Sequence, residues 1–236
     1  MKKIITTAIF VLFTTVSANA VDFSGLSFTA GIASSTSVWG ASAKETSSNE
    51  TGSSDRVNKA HGVFQESYSS YFGEVGFGRF VSLGYEHTPD SISTPENINP
   101  GGAKATSGGG HGTAYNTSKV SVDFNDLNTT YVKLNIPGGM YLKYGHVETD
   151  LDIKETMSSG NTYNNVSIDG TTTGLGYQRM LGDSRMGFRF ETNYVDFDNA
   201  TTTNGVATTG NHNKIEATNI EGLNAKVALT ITLGSR

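Results

Sequence analysis

Along much of this chain, apolar and polar residues alternate one by one. In residues 186–197, Met186, Phe188, Phe190 and Tyr194 share one phase with Thr192, while Gly187, Arg189, Glu191 and Asn193 take the other. Successive side chains of a strand point to opposite faces, so this period predicts a strand with one apolar and one polar face. Near the C-terminal end Leu223, Ala225, Val227, Leu229, Ile231 and Leu233 oppose Asn224, Lys226, Ala228, Thr230 and Thr232. Near the other end Leu26, Phe28, Ala30 and Ile32 oppose Gly25, Ser27, Thr29 and Gly31. Both stretches predict strands.

Between them the pattern predicts three hairpins. Tyr71, Gly73, Val75 and Phe77 turn through Gly78-Arg79 into Val81, Leu83 and Tyr85, with Glu74, Gly76, Ser82, Gly84 and Glu86 on the other face. Val132, Leu134 and Ile136 turn at Pro137-Gly138-Gly139 into Met140, Leu142 and Tyr144, opposing Tyr131, Lys133, Asn135, Tyr141 and Lys143. Pro-Gly-Gly is a strong turn signal. In the third hairpin Leu175 and Tyr177 lead through residues 180–183 to Met186 and Phe188. Two terminal strands and three hairpins make eight strands.

The connections sort by length. Those inside the hairpins are short. Those between them, about residues 35–66, 90–119, 151–166 and 198–215, are rich in Gly, Ser, Thr and Asn and are expected as long loops. Up-and-down order puts the long loops at one end and the tight turns, with both termini, at the other. Outer-membrane barrels have this asymmetry, with an even strand number, short periplasmic turns and long outer loops.

The first twenty residues fix the expected compartment. Lys2 and Lys3, an apolar run from Ile4 to about Val16, and Ala18-Asn19-Ala20 form a secretory signal pattern with cleavage after Ala20. Of 236 residues, 216 then remain as one barrel domain, 21–236, and loss of the two lysines takes the net charge from −5 to −7. No basic stretch points to nucleic acid. Without cysteine there is neither a disulfide, a thiolate metal site nor a lipidated N-terminal cysteine. No later run is apolar enough for a helical membrane span.

The signal sequence, the eight alternating segments and the loop asymmetry together resemble the small outer-membrane β-barrels of Gram-negative envelopes, the OmpA-transmembrane or opacity-type, porin-like class. That resemblance implies an all-β, eight-stranded antiparallel up-and-down barrel in the cell outer membrane. The chain departs from the class at Leu233-Gly234-Ser235-Arg236, where such barrels commonly end on an aromatic residue. No peptidoglycan-binding tail is expected after the last strand.

Alternation alone does not decide which face is inside, since a soluble lipocalin-like barrel alternates too. The polar face decides it. It is mostly Gly, Ser, Thr and Asn with few charges, which suits a narrow lumen better than a wetted exterior. Eight strands enclose a space that side chains fill. Phe188 and Phe190 are therefore expected against lipid, and Glu74, Glu86, Lys133, Lys143, Arg189, Glu191 and Lys226 inside as one charge network. Pairing Ile136 with Met140 sets Lys133 opposite Lys143. Two lysines at ~5 Å with an effective dielectric near 20 repel by about 3 kcal/mol, so acids from other strands are expected between them.

Other candidates read as ordinary barrel chemistry. Tyr71, Phe77, Tyr85, Tyr144, Tyr177, Phe188 and Tyr194 are expected in interfacial girdles, with Trp39 in the outer girdle or a loop contact. Asp123, Asp126, Asp150 and Asp152 lack the spacing of a dedicated calcium loop and read as solvated loop acids. His61, His111 and His212 fall in expected loops, and His87 and His146 in the lipid-facing phase near the outer rim. No catalytic, cofactor or metal site is expected. The expected function is that of a monomeric barrel with a mostly plugged polar lumen. It would serve envelope structure, or contact with cells, phage or host through its loops, with membrane lipid as its first partner. The alternatives are a low-conductance pore for small solutes and, third, a lipid-modifying enzyme.

Overall fold

The computed structural model describes residues 25–47, 56–105, 111–156, 162–204 and 213–234. The expected signal peptide lies outside the described residues. Eleven strands follow in order: β1 (Leu26–Ser47), β2 (Arg56–Phe77), β3 (Val81–Thr88), β4 (Ile92–Ser93), β5 (Asn97–Ala105), β6 (His111–Asn135), β7 (Met140–Thr156), β8 (Val166–Met180), β9 (Met186–Phe197), β10 (Ala200–Thr203) and β11 (Asn213–Gly234). Eight of them, β1, β2, β3, β6, β7, β8, β9 and β11, form one antiparallel sheet that closes through β1 and β11. Closure leaves no edge in the lipid-facing belt, the condition for a sheet to cross a bilayer. The short β4 and β5 add to β6, and β10 adds to β11.

Tight turns join the strands at one end. Gly78, Gly138, Gly139 and Gly182 take positive φ there, between 59° and 97°. Ile136 and Met140 bracket the Pro137–Gly139 turn with an Ile136 N–H to Met140 carbonyl hydrogen bond of 2.8 Å. From that turn the register carries Lys133 opposite Lys143.

At the other end the structure corrects the expected loops. β1 and β2 stay paired from Leu26–Phe77 up to Ser47–Arg56, so residues 35–47 and 56–66 are barrel wall. β6 begins at His111 and β7 runs on to Thr156. A strand of 22 residues extends ~70 Å, against the 9–11 tilted residues that cross a membrane. The wall therefore continues well beyond the bilayer. Its sequence hides this because Ser, Thr and Gly occupy both faces, so strand pairing there leaves no hydrophobic period.

The two faces are distinct in the membrane segment. Ile32, Leu223, Leu229, Ile231 and Phe190 face out with half or more of their surface exposed, whereas Arg189 and Glu191 are 2% and 5% exposed. An apolar exterior around a buried, charged interior is the inverse of a water-soluble barrel, and it requires lipid outside. The protein is an outer-membrane-type barrel.

Candidate functional site: the charged interior

All seven charged residues expected inside lie in the lower half of the barrel and contact one another. They form two ion clusters. In the first, Glu74 on β2 accepts a hydrogen bond from Lys133 Nζ at 2.5 Å. It also takes a two-pronged one from Arg189, Nη1 to Oε1 and Nη2 to Oε2, both at 2.8 Å. Gln178 Oε1 accepts from Arg189 Nη2 at 2.8 Å and from Lys133 at 3.3 Å. One acid here serves two bases.

In the second cluster Lys143 donates to Glu86 at 3.2 Å and to Glu191 at 3.0 Å, while Lys226 donates to the same two acids at 2.5 and 3.3 Å. Ser70 adds a hydrogen bond to Glu86, and Asn193 one to Glu191. Two acids serve two bases.

Two tyrosines join the clusters. Tyr131 donates its hydroxyl to Glu74 at 2.8 Å while Lys143 sits 4.2 Å from its ring centroid. Tyr141 donates to Glu191 at 2.6 Å with Lys133 5.2 Å from its ring. Arg189 also lies 4.4 Å over Phe72. A cation over a ring face gains from the ring quadrupole, most where water is absent. The repulsion expected between Lys133 and Lys143 is thus met by acids from β2, β3 and β9 and by aromatic faces.

These rings lie flat against glycines of the neighbouring strands. A Cβ on Gly84 would fall 2.3 Å from the Tyr131 ring, one on Gly176 2.1 Å from that of Tyr141, and one on Gly31 2.3 Å from that of Phe72. The inward glycines therefore provide the width that lets aromatic side chains share a lumen with seven charges. Alternation along the sequence sets Tyr131 and Tyr141 on the inward face, but the period alone gives them no role. The available signal was the repeated Tyr-x-Lys on both arms of the second hairpin.

Above the charges the interior turns apolar, which corrects the expectation of a polar lumen throughout. Trp39, Leu127, Val147, Leu151, Ile168, Val195 and Phe197 are buried together there. Trp39 stacks between Phe124 and Phe197, 6.0 Å from each, rather than sitting in a girdle or a loop. A cavity of about 30 Å³ lies between the two regions, lined by Trp39, Tyr68, Lys143, Asn193, Asn224 and Lys226 among others. That is space for a water or two. Higher still, buried Tyr163 reaches Glu45 across the mouth with its hydroxyl at 3.3 Å.

Asp123 is buried as well, paired with Lys154, and is no solvated loop acid. Burial pushes its carboxyl up, but hydrogen bonds from Lys154 and Ser93 outweigh this and hold it below the usual carboxylate value. On the outer wall His87 meets Asn128 at 2.7 Å and Tyr71 at 5.1 Å between rings. His146, Glu148 and Asp169 place potential ligand atoms within 4.8 Å of one another on that wall, and the side chains of His146 and Asp169 are well exposed.

Comparison with protein-family models and with curated protein sequences returns no match. Solved structures do match. The outer membrane protein OprG from Pseudomonas aeruginosa superimposes with a TM-score of 0.56 at 10% identity, over 90% of this chain and 97% of its own. The outer membrane protein AlkL, solved in lipid bilayers, gives 0.49 at 10% identity over 94% and 96%. At such identity the likeness is one of fold. The chain has the fold of the small Gram-negative outer-membrane β-barrels, and its lipid-facing belt fits the cell outer membrane.

Proposed function

We propose that this barrel has a plugged interior and acts without conducting solutes, serving envelope structure or contact at the cell surface through the part of its wall beyond the membrane. The observation that carries this is the interlocking of the two ion clusters, in which every one of the seven charged groups has a counter-ion within 3.3 Å. Opening a path through them means separating buried ion pairs, and stranding one partner costs roughly 3–5 kcal/mol. The apolar layer around Trp39 adds a second obstacle, because an ion crossing it would leave water with nothing to solvate it. No catalytic step is assigned to the barrel.

Swelling of vesicles loaded with an impermeant polymer tests this. Vesicles carrying the purified protein should swell in iso-osmotic arabinose no faster than protein-free ones. Swelling that scales with protein content and falls with sugar size would instead make the protein a small-solute pore.

A further inference from the structure

Beyond the membrane the wall lacks strand pairing along one seam among the described residues. β2 is paired with β1 over its whole length but with β3 only from Tyr71 to Phe77. The strands that follow in space, β4 and β5, pair with β6 and not with β2. Among the described residues, 56–70 of β2 pair only with β1, and β4 lies beside β2 without pairing to it, leaving up to ~50 Å of edge whose outer backbone donors and acceptors have no strand partner. Such an edge is a template for another strand.

The side chains along it are selective. On the outward face, rows run across the sheet. Glu216 of β11 lies opposite Lys44 of β1, and Lys44 opposite Lys59 of β2. Glu216 takes Lys44 at 3.2 Å and Lys214 at 2.5 Å, whereas Lys59 has no ion pair among the described residues. The row reads acid, base, base, and then stops at the open edge. Two positions to either side of Lys59 and His61, Val57 and Val63 are 47% and 76% exposed. Val63 lies fourteen residues from the turn end of β2 at Phe77, beyond the roughly 9–11 residues that cross a membrane, and two residues past the Leu223–Val38–Gln65 row.

We infer that the edge of β2 over residues 56–70 is a strand-addition site for an extended segment of another protein, carrying an acidic side chain opposite Lys59 between apolar ones opposite Val57 and Val63. This rests on the reading that the barrel works through its outer wall. Main-chain hydrogen bonds would supply affinity and the alternate side chains the choice of partner. A second copy is a poor occupant. Two barrels inserted in the same sense present their β2 strands running the same way, while every pairing in this sheet is antiparallel. A lysine at an edge also discourages indiscriminate pairing.

The probe is a labelled, capped peptide, Val-Thr-Thr-Ser-Glu-Thr-Val, titrated by fluorescence anisotropy against the full chain refolded in phosphatidylcholine vesicles. Antiparallel addition sets its first, third, fifth and seventh residues opposite Val63, His61, Lys59 and Val57. Saturable binding is expected. N-methylation of alternate peptide nitrogens should abolish it in one of the two registers and spare it in the other. Lys59→Glu should weaken it about tenfold, a change of ~1.4 kcal/mol, and the same variant should prefer the peptide with Lys in place of Glu. Lys59 is exposed, and the variant's unchanged urea midpoint would verify its fold. No binding at millimolar peptide, or binding indifferent to both N-methylation registers and to Lys59→Glu, overturns the site. Solute-permeable vesicles with intact peptide binding would overturn the plugged interior alone.

Discussion

Glu74 is the position at which the interior network should be most fragile. It is the one acid of its cluster, bound by Lys133, by both prongs of Arg189 and by Tyr131. Glu74→Gln keeps the size but removes the charge, leaving two cations side by side with only neutral acceptors, the new amide oxygen and Gln178. An uncompensated buried charge costs about 3–5 kcal/mol, and the value should fall toward the upper end because two bases lose their acid together. Glu191→Gln removes an acid too, yet Lys143 and Lys226 both keep Glu86. Its cost should be nearer that of lost charged hydrogen bonds, about 1.5–3 kcal/mol. The assay is reversible urea unfolding in lipid vesicles, extrapolated linearly to water. Refutation would be a Glu74→Gln barrel within ~0.5 kcal/mol of wild type, the range of surface substitutions, or a larger loss for Glu191→Gln than for Glu74→Gln.

Three further outcomes are expected. Phe190→Arg, midway along the lipid-facing stretch of β9, should lower stability by about 2–4 kcal/mol in the same assay; a neutral result would mean the lipid face is misassigned. Gly176→Ala, driven into the Tyr141 ring, should cost about 1–3 kcal/mol, while Gly73→Ala, which meets nothing within 4 Å, should be close to neutral; equal effects would remove the packing argument. The Asp123 carboxyl titrates below its unfolded value, so its contribution to stability is present above about pH 4 and is lost as pH falls through the lower folded value. Asp123→Asn should accordingly lower the urea midpoint at pH 7 and lose that deficit at pH 2–3, and a deficit unchanged between the two would contradict the ion pair.

The strand phases of the membrane segment were legible because one face meets lipid and the other meets protein. Arg189 and Glu191 follow from that contrast, and the opposition of Lys133 and Lys143 follows from the Pro137–Gly139 turn. Partnership was not legible. That Glu74 serves Arg189 while Glu86 serves Lys226 depends on how far each side chain reaches across a closed ring, and period two carries no such information. The apolar interior above the charges was hidden for a different reason. Around Asp126, at φ 51°, the register of β6 against β7 slips between Asn125 and Asn128. Phe124 and Leu127, three residues apart, both turn inward as a result. A bulge of this kind breaks the alternation that a sequence scan relies on. The β1–β11 pairing shifts similarly between Gly40 and Ser42, just beyond buried Trp39. With Ser35 and Ser37 inward and Ser34 and Thr36 outward, that stretch resembles a loop until its partner strand is known.

Single-channel recording in planar bilayers tests the plugged interior most directly. The purified barrel, with insertion verified by protease protection of its membrane segment, should leave the current at the protein-free baseline across ±100 mV. Reproducible, well-resolved steps whose ion selectivity changes in Lys133→Ala or Lys143→Ala would contradict the account, since they would put current through the network proposed to block it.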